Sequence, residues 1–410
     1  MFSRLSPTKA DAYKLYLVLS GIQSFAMTMV FTVNLVYQVK QVGLNPLQLV
    51  LVGTCLELTA FLMEIPTGVV ADVYSRRLSV ITGIALLGLG FLVEGSFPVF
   101  EALLLAQIIM GLGYTFLSGA QSAWIVDEIG QARASAAFVR SAQVAQITGF
   151  VAIFVSVAVA SVSLQVAIVS AGIIMLALTL LLVLLMPEEG FQPQEASQRE
   201  SWTTLFNTSR SGLRLVRRRH LLLLIMAATI IHGAFSEGFD RLWTAHLLGD
   251  FTLPALGQLD EIVWFGVISA VSMPLSLLAM EYIRRGVDMT NNRSVTIALT
   301  LVYVAMIGGV LLFTLGERFA LLLLGLWITG AMRTIRNPLM EAWINQHTES
   351  GVRATVLSIQ GQADAFGQIA GGPVVGAVGH FSSVRMAITI SALLLVPILG
   401  VFRRSARPNR

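Results

Sequence analysis

Twelve stretches of this 410-residue chain, each about 20 residues or longer, are almost unbroken in apolar sequence. They run roughly over residues 12–38, 46–70, 77–97, 101–125, 137–160, 164–186, 221–248, 260–283, 294–315, 319–343, 355–378 and 384–402. An α-helix rises about 1.5 Å per residue, so each stretch can cross a hydrocarbon layer about 30 Å thick. Lipid cannot hydrogen-bond a backbone, and a helix satisfies every amide within its own segment. Only 12% of the residues are charged, about half the share in a soluble domain, so polar surface is too scarce to keep such helices in water. The expectation is an all-α membrane protein with twelve transmembrane helices and the lipid bilayer as its solvent.

The net charge of +4 does not point to nucleic acid, because the basic residues lie in short loops between apolar runs. The single cysteine, Cys55, excludes a disulfide or a cysteine metal cluster within one chain. There is no Walker loop to cradle a nucleotide. No serine in the runs has a recognisable base beside it, and His232 and His246 lack a compact metal-ligand spacing. Neither an enzyme, a metal nor a cofactor is expected. Lys9 and Lys14 precede a first run too long for a signal peptide and followed by no small-residue cleavage site, so it reads as a membrane helix. Asn45-Pro46 reads as an N-cap followed by proline at the first helical position, and Pro187 ends the sixth run.

Loop charge sets an expected orientation. One alternate set of loops holds Arg76, Arg77, Arg133, Arg140, the basic stretch Arg210 to Arg219, Arg284, Arg285, Arg293 and Arg353, and both termini are basic. The other set holds Lys40, Arg318 and Arg385 among Glu94, Glu101, Asp250, Asp260, Glu261 and Glu317. The positive-inside rule places both termini in the cytoplasm of a multi-pass protein of the cell membrane. Residues 187–220 are the longest non-apolar segment. Trp202, Leu205, Phe206, Leu213 and Val216 fall on one helical face there, with Arg210, Arg214, Arg217 and Arg218 mostly off it. That pattern suits an interfacial helix or, equally, a linker in which a helix starts early. Ala123-Trp124-Ile125 recurs as Ala342-Trp343-Ile344, and Gln143 as Gln362, each 219 residues on. A near-constant offset at equivalent helix positions predicts two pseudo-symmetric six-helix bundles, 1–186 and 221–410, joined by a linker at 187–220.

Ionisable groups inside membrane helices are costly, so their positions carry information. Glu57 and Glu64 stand two turns apart on one face of the second run, with Gly53 and Gly68 extending the stripe for close helix packing. A carboxylic acid in low dielectric can exchange a proton near neutral pH; a protonated acid bonding a neighbouring helix is the structural alternative. In the seventh run Glu237 and Arg241 have the spacing of an i, i+4 pair, leaving Asp240 for a substrate, a proton or another helix. The tenth run carries Arg333 and Arg336, the eleventh Asp364 among Gln360, Gln362 and Gln368; an Arg–Asp pair between those runs would neutralise both charges, and a cavity that binds an anionic or polar group is the alternative. Gln23, Asn34, Gln107, Gln121, Gln143, Gln146 and Gln362 add a polar cavity lining. Runs three, six, nine and twelve have charge-free interiors and are expected to face lipid.

The segment Gly68-Val-Val-Ala-Asp72-Val-Tyr-Ser-Arg76-Arg77 resembles the signature loop joining helices two and three in the major facilitator superfamily. The resemblance implies the major facilitator fold over the whole chain, with Gly68, Asp72, Arg76 and Arg77 as a cytoplasmic gate. Positive-inside topology alone also explains the two arginines. Ser75 stands where the family usually has glycine. Glu64-Ile-Pro-Thr-Gly68, Ser118-Gly-Ala-Gln-Ser-Ala-Trp124-Ile-Val-Asp127-Glu128 and Gly371-Gly372-Pro373-Val-Val-Gly376 look like the drug-efflux branch. Two features depart from its proton-coupled members. Gln107 fills the place of their helix-four arginine, and the Gly-Pro motif of helix five is missing.

These readings converge on a monomeric secondary transporter that exports lipophilic or amphiphilic small molecules by alternating access, driven by protons. Phe25, Met27, Phe31, Phe61 and Met63 offer it an adaptable apolar lining, or are ordinary helix packing. Arg241, Arg333 and Arg336 favour instead an importer or exchanger of a polar or anionic metabolite. A membrane sensor that keeps the fold without transport is the third alternative.

Overall fold

The computed structural model describes residues 11–192, 220–257, 259–348 and 352–405. Among them twelve long helices follow one another, and the one β-type pairing is an isolated bridge between Leu256 and Leu259. They are α1 (Ala12–Gln41), α2 (Pro46–Val73), α3 (Arg76–Ser96), α4 (Phe100–Ile129), α5 (Gln131–Ala160) and α6 (Leu164–Leu185). The second six are α7 (His220–Asp250), α8 (Ile262–Gly286), α9 (Asn292–Leu315), α10 (Phe319–Gln346), α11 (Arg353–Phe381) and α12, in two pieces, Val384–Leu394 and Val396–Ser405. The proposed interfacial helix around Trp202 to Arg218 lies outside the described residues.

Local sequence sets the helix ends. Asn45 and Gln48 form a reciprocal capping box: the Gln48 amide donates to Asn45 Oδ1 at 2.9 Å, and the Asn45 amide to Gln48 Oε1 at 3.1 Å. Ser75, Ser163, Asn291 and Ser383 cap α3, α6, α9 and α12 through side-chain oxygens. Three runs expected to be single helices are not. The backbone of α1 widens into a π turn at Tyr37–Gln41. In α4 the helix breaks at Ser118-Gly119, where Gly119 takes φ 73°, a conformation that favours glycine. In α12 the break at Leu395 precedes Pro397, which has no N–H to continue the ladder.

Eleven of the twelve helices are long and apolar enough to span a bilayer, so this is a multi-pass membrane protein. The exception is α11: its 29 residues suffice in length, but Gln360, Gln362, Asp364 and Gln368 lower its hydropathy. The chain divides into two compact units, one of Met1–Gly43, Cys55–Arg199 and Leu256–Gly266, the other of Leu44–Thr54, Glu200–Ala255 and Val267–Arg410. Each pairs its helices by the same plan. In the first, α1 packs on α5, and α3 packs on α4 and α6; in the second, α7 packs on α11, and α9 on α10 and α12. This repeat is the pseudo-symmetry of a two-bundle fold.

Glycine makes the seams, as lipid-solvated helices require close backbone approach rather than hydrophobic drive. A Cβ on Gly83 of α3 would meet the Gly113 carbonyl of α4 at 2.9 Å, and one on Gly309 of α9 the Gly325 carbonyl of α10 at 3.1 Å. Hydroxyls add to the α1–α5 seam: Ser24 donates to the Ala145 carbonyl at 2.7 Å and Ser156 to that of Met29 at 2.6 Å.

The helices differ in how far they are buried within the protein. The most apolar stretches of α3 and α9 are 56% and 50% buried, against 22% in each of α2, α5 and α8. The reason is that α3 and α9 are each gripped by two partners. The end of α3 carries a charge. Glu94, expected in a loop, is fully buried near its end, where Oε1 accepts from Gln38 Nε2 at 2.8 Å and the main-chain carbonyl accepts from the Tyr37 hydroxyl at 2.8 Å. Both donors belong to the end of α1, so the π turn and Glu94 are parts of one polar contact. Glu94→Gln keeps the acceptor and should leave thermal unfolding in detergent close to wild type. Glu94→Leu strands the Gln38 amide and should cost about 1–3 kcal/mol. Equal melting of the two variants would show that this bond contributes nothing.

Candidate functional site

The second unit gathers six charges that the sequence scatters over more than a hundred residues. Glu237, Asp240 and Arg241 come from α7, Arg333 and Arg336 from α10, and Asp364 from α11. Close contact begins with small residues. A Cβ on Gly233 of α7 would collide with the Asp364 carbonyl of α11, and one on Gly371 of α11 with Ala234 of α7. This bare seam brings the α7 and α11 charges into one neighbourhood.

Glu237 is 2% exposed, and its Oε1 accepts from Arg241 Nε at 3.2 Å, one helical turn on. Two glycines wall the pair in. A Cβ on Gly53, in the early turns of α2, would strike Glu237 Oε1 and Arg241 Nε, and one on Gly372 would lie 2.7 Å from Glu237 Cγ. Asp240 is taken by the guanidinium of Arg333: Nη1 pairs with Oδ1, and Nη2 donates to Oδ2 at 2.6 Å. Of the two α10 arginines that could pair with Asp364, Arg333 meets Asp240 instead, and Asp364 feels the charge of Arg336. A fork-to-fork pair satisfies both carboxylate oxygens at once and outcompetes a single contact.

Arg336 is 6% exposed and held by neutral groups, donating through Nε to the Tyr303 hydroxyl at 3.0 Å and through Nη1 to Asn337 Oδ1 at 3.2 Å. Asp364 accepts from Gln368 Nε2 at 3.1 Å through Oδ2, and its charge is felt from Arg336 and Arg333. Its Oδ1, Arg336 Nη2 and His232 Nδ1 are buried and have no hydrogen-bond partner among the described residues. Three carboxylates thus face three guanidinium groups, and the cluster is balanced when all six are ionised. His232 and Gln368 belong to this environment, and Tyr303 joins it without having been singled out by the sequence. His232 presents its ring edge-on to Tyr303, with centroids 5.8 Å apart.

The first unit places its polar residues differently. Glu57 and Glu64 are half-buried, and Glu64 Oε1 accepts from the Ser118 hydroxyl at 2.8 Å. The break in α4 is what presents that hydroxyl. Gln107 and Asn34 are buried, the latter bonded to the Leu35 amide at 2.8 Å. Gln23 and Gln121 are half-buried, as is Gln362 in the second unit. Gln143 and Gln146 are exposed, and Gln143 is occupied by Arg140 at 3.0 Å. An apolar groove of about 590 Å³ runs between α1, α5 and α6, bordered by Gly21, Phe25, Val144, Thr148 and Leu178. Phe31 and Met63 are exposed, while Met27 receives the Tyr114 hydroxyl at 3.8 Å.

The start of α3 is bound to the end of α4, to α6 and to the chain leaving α6. Arg76 Nη1 pairs with Asp127 Oδ2 at 2.8 Å, and Arg77 Nη2 donates to the Val183 carbonyl at 2.6 Å. The Ser75 hydroxyl donates to both Glu188 oxygens, at 2.9 and 2.8 Å, and the Arg77 amide to Oε1 at 2.9 Å. Trp124 Nε1 donates to the Pro187 carbonyl at 2.8 Å. Asp72 is exposed, and a Cβ on Gly68 would meet nothing within 4 Å, so the close packing expected at Gly68 is not found there.

The model of the Major Facilitator Superfamily matches residues 17–317. An uncharacterized MFS-type transporter, YxaM, from Bacillus subtilis (strain 168) is 21% identical over 389 residues, covering 93% of this chain and 92% of that one. Crystal structures of the nucleoside transporter NupG and of a peptide transporter POT in complex with sulfate superpose with TM-scores of 0.79 and 0.70. NupG is 18% identical, over 98% of this chain and 100% of its own; POT is 14% identical, over 96% and 95%. At such identities the likeness shows the fold alone.

The Asp240–Arg333 pair has a direct test. Asp240→Asn and Arg333→Gln each strand a charged partner, whereas the double variant strands none. Thermal unfolding should give a favourable coupling of about 0.5–3 kcal/mol, the double variant being more stable than the sum of single losses implies. Strict additivity would mean that the two side chains do not sense each other.

Proposed function

The chain belongs to the Major Facilitator Superfamily, and we propose that within it the protein is a proton-coupled exporter of lipophilic or amphiphilic small molecules. The observation that carries proton coupling is the balanced cluster of the second unit, with Glu237 enclosed against Arg241. An arginine does not release its proton, so charge in such a cluster changes through its carboxylates. Protonating one of them leaves the cluster with a net positive charge and alters which packing of the surrounding helices is favoured. A proton drives transport only through such a difference between two conformations. Two six-helix bundles, up to residue 186 and from residue 221, would rock about a central site, with both termini and the Asp72–Arg77 loop on the cytoplasmic side.

Lipophilic cargo is supported by the apolar groove beside Phe25, whose volume of about 590 Å³ lies in the range of small-molecule sites. Export is supported by the likeness of Glu64 to Gly68 and Ser118 to Glu128 to drug exporters. A second reading, a polar or anionic cargo, is favoured by Arg336 Nη2, a buried donor with no hydrogen-bond partner among the described residues. The charge balance weighs against an anion, since the other two arginines already hold carboxylates.

Reconstituted liposomes separate these readings. An amphiphilic fluorescent dye should move faster under an imposed pH gradient and lose that response with a protonophore. Glu57→Gln and Glu237→Gln should abolish the gradient dependence. Flux of the dye indifferent to gradient, protonophore and both substitutions would overturn proton coupling. Loss of organic-anion uptake in Arg336→Gln, with dye flux absent in the wild type, would favour the second reading.

A further inference from the structure

We infer that Asp364 is the carboxylate of this cluster that exchanges the proton, with Arg336 as the fixed charge beside it. The inference rests on the proton-coupled reading above and assigns its site within the second unit.

The three acids differ in what they lose when neutralised. Glu237 would give up a charge-assisted bond to Arg241 and leave that cation enclosed beside it. Asp240 would give up both arms of Arg333. Charge-assisted and bidentate bonds of this kind are the strongest hydrogen bonds a side chain makes. Asp364 has neither. Its Oδ2 accepts from a neutral amide, Gln368, and its buried Oδ1 has no hydrogen-bond partner among the described residues. A proton arriving at Oδ1 therefore breaks no ion pair.

Arg336 completes the argument. A cation left behind by a protonated partner is costly in a low-dielectric interior. Arg336 avoids this because Tyr303 and Asn337, both uncharged, already receive two of its N–H groups. It supplies positive potential to Asp364 without depending on Asp364 for its own hydrogen bonds. Asp364 interacts with Asp240 from α7, Tyr303 from α9, and Arg333 and Arg336 from α10; His232 of α7 faces the same two arginines, and Glu237 faces Arg333. His232 is 4% exposed, and its Nδ1 likewise has no hydrogen-bond partner among the described residues. Its neighbour Gly233 abuts the Asp364 backbone, so a change at this carboxylate acts directly on the α7–α11 seam. The chemical step is the making and breaking of one O–H bond at Oδ1, with water giving and receiving the proton.

Infrared difference spectra of the purified full chain, titrated in pH without any substrate, read the protonated carboxyl directly. The wild type should show a titrating carboxylic-acid band that is lost in Asp364→Asn. Gln368→Leu and His232→Gln should move its midpoint. Persistence of the whole titrating band in Asp364→Asn overturns the inference. Should that variant fail to fold, an unmoved midpoint in both Gln368→Leu and His232→Gln overturns it instead. A band that behaves as expected, in a protein whose dye flux ignores a pH gradient, supports the proton site and sinks the transport reading alone.

Discussion

A hydrocarbon layer offers no partner to a backbone amide or a charged side chain, and each element of this protein answers that demand. Helices satisfy the amides internally. Where the helix is interrupted, at the π turn of α1, at Ser118-Gly119 and at Leu395, a polar group or a special residue stands beside the break. Tyr37 and Gln38 turn to Glu94, Ser118 reaches Glu64, and Pro397 cannot donate at all. Charges meet the same demand by pairing. The six in the second unit balance, and the two strongest pairs link acids of α7 to arginines of α7 and α10.

Packing and chemistry are joined through glycine. The bare surfaces that let α7 approach α11 also decide which charges share a neighbourhood. Gly53 and Gly372 leave the volume that Glu237 and Arg241 occupy. Contact made through backbone rather than long side chains transmits small displacements, because little in it can be absorbed by rotamer changes. A seam of this type suits a protein whose work requires a few packed arrangements rather than one.

Much of this architecture was legible in the sequence, for reasons that are physical. Apolar run length is fixed by bilayer thickness, so twelve helices could be read directly. The Asn45-Pro46 start was local, and so was the Glu237–Arg241 spacing. What could not be read was the choice among distant partners. Nothing within 93 residues of intervening sequence tells Arg333 to take Asp240 rather than Asp364. Glu94 was misplaced because an acid three residues from a helix end looks like loop, and only the turning of α1 toward it buries it. Tyr303 gave no signal, since single tyrosines are ordinary in apolar helices.

Ser75 carries a consequence of another kind. Its hydroxyl accepts from the Leu78 amide, starting α3, while donating to Glu188 at the exit of α6. One oxygen thus serves two distant positions, and neither can drift alone over generations. A lineage reverting to glycine at 75 would shed the helix cap and the carboxylate's hydroxyl donor in a single step. Positions 75 and 188 are therefore expected to change together among relatives of this chain, the departure at one recording the history of the other.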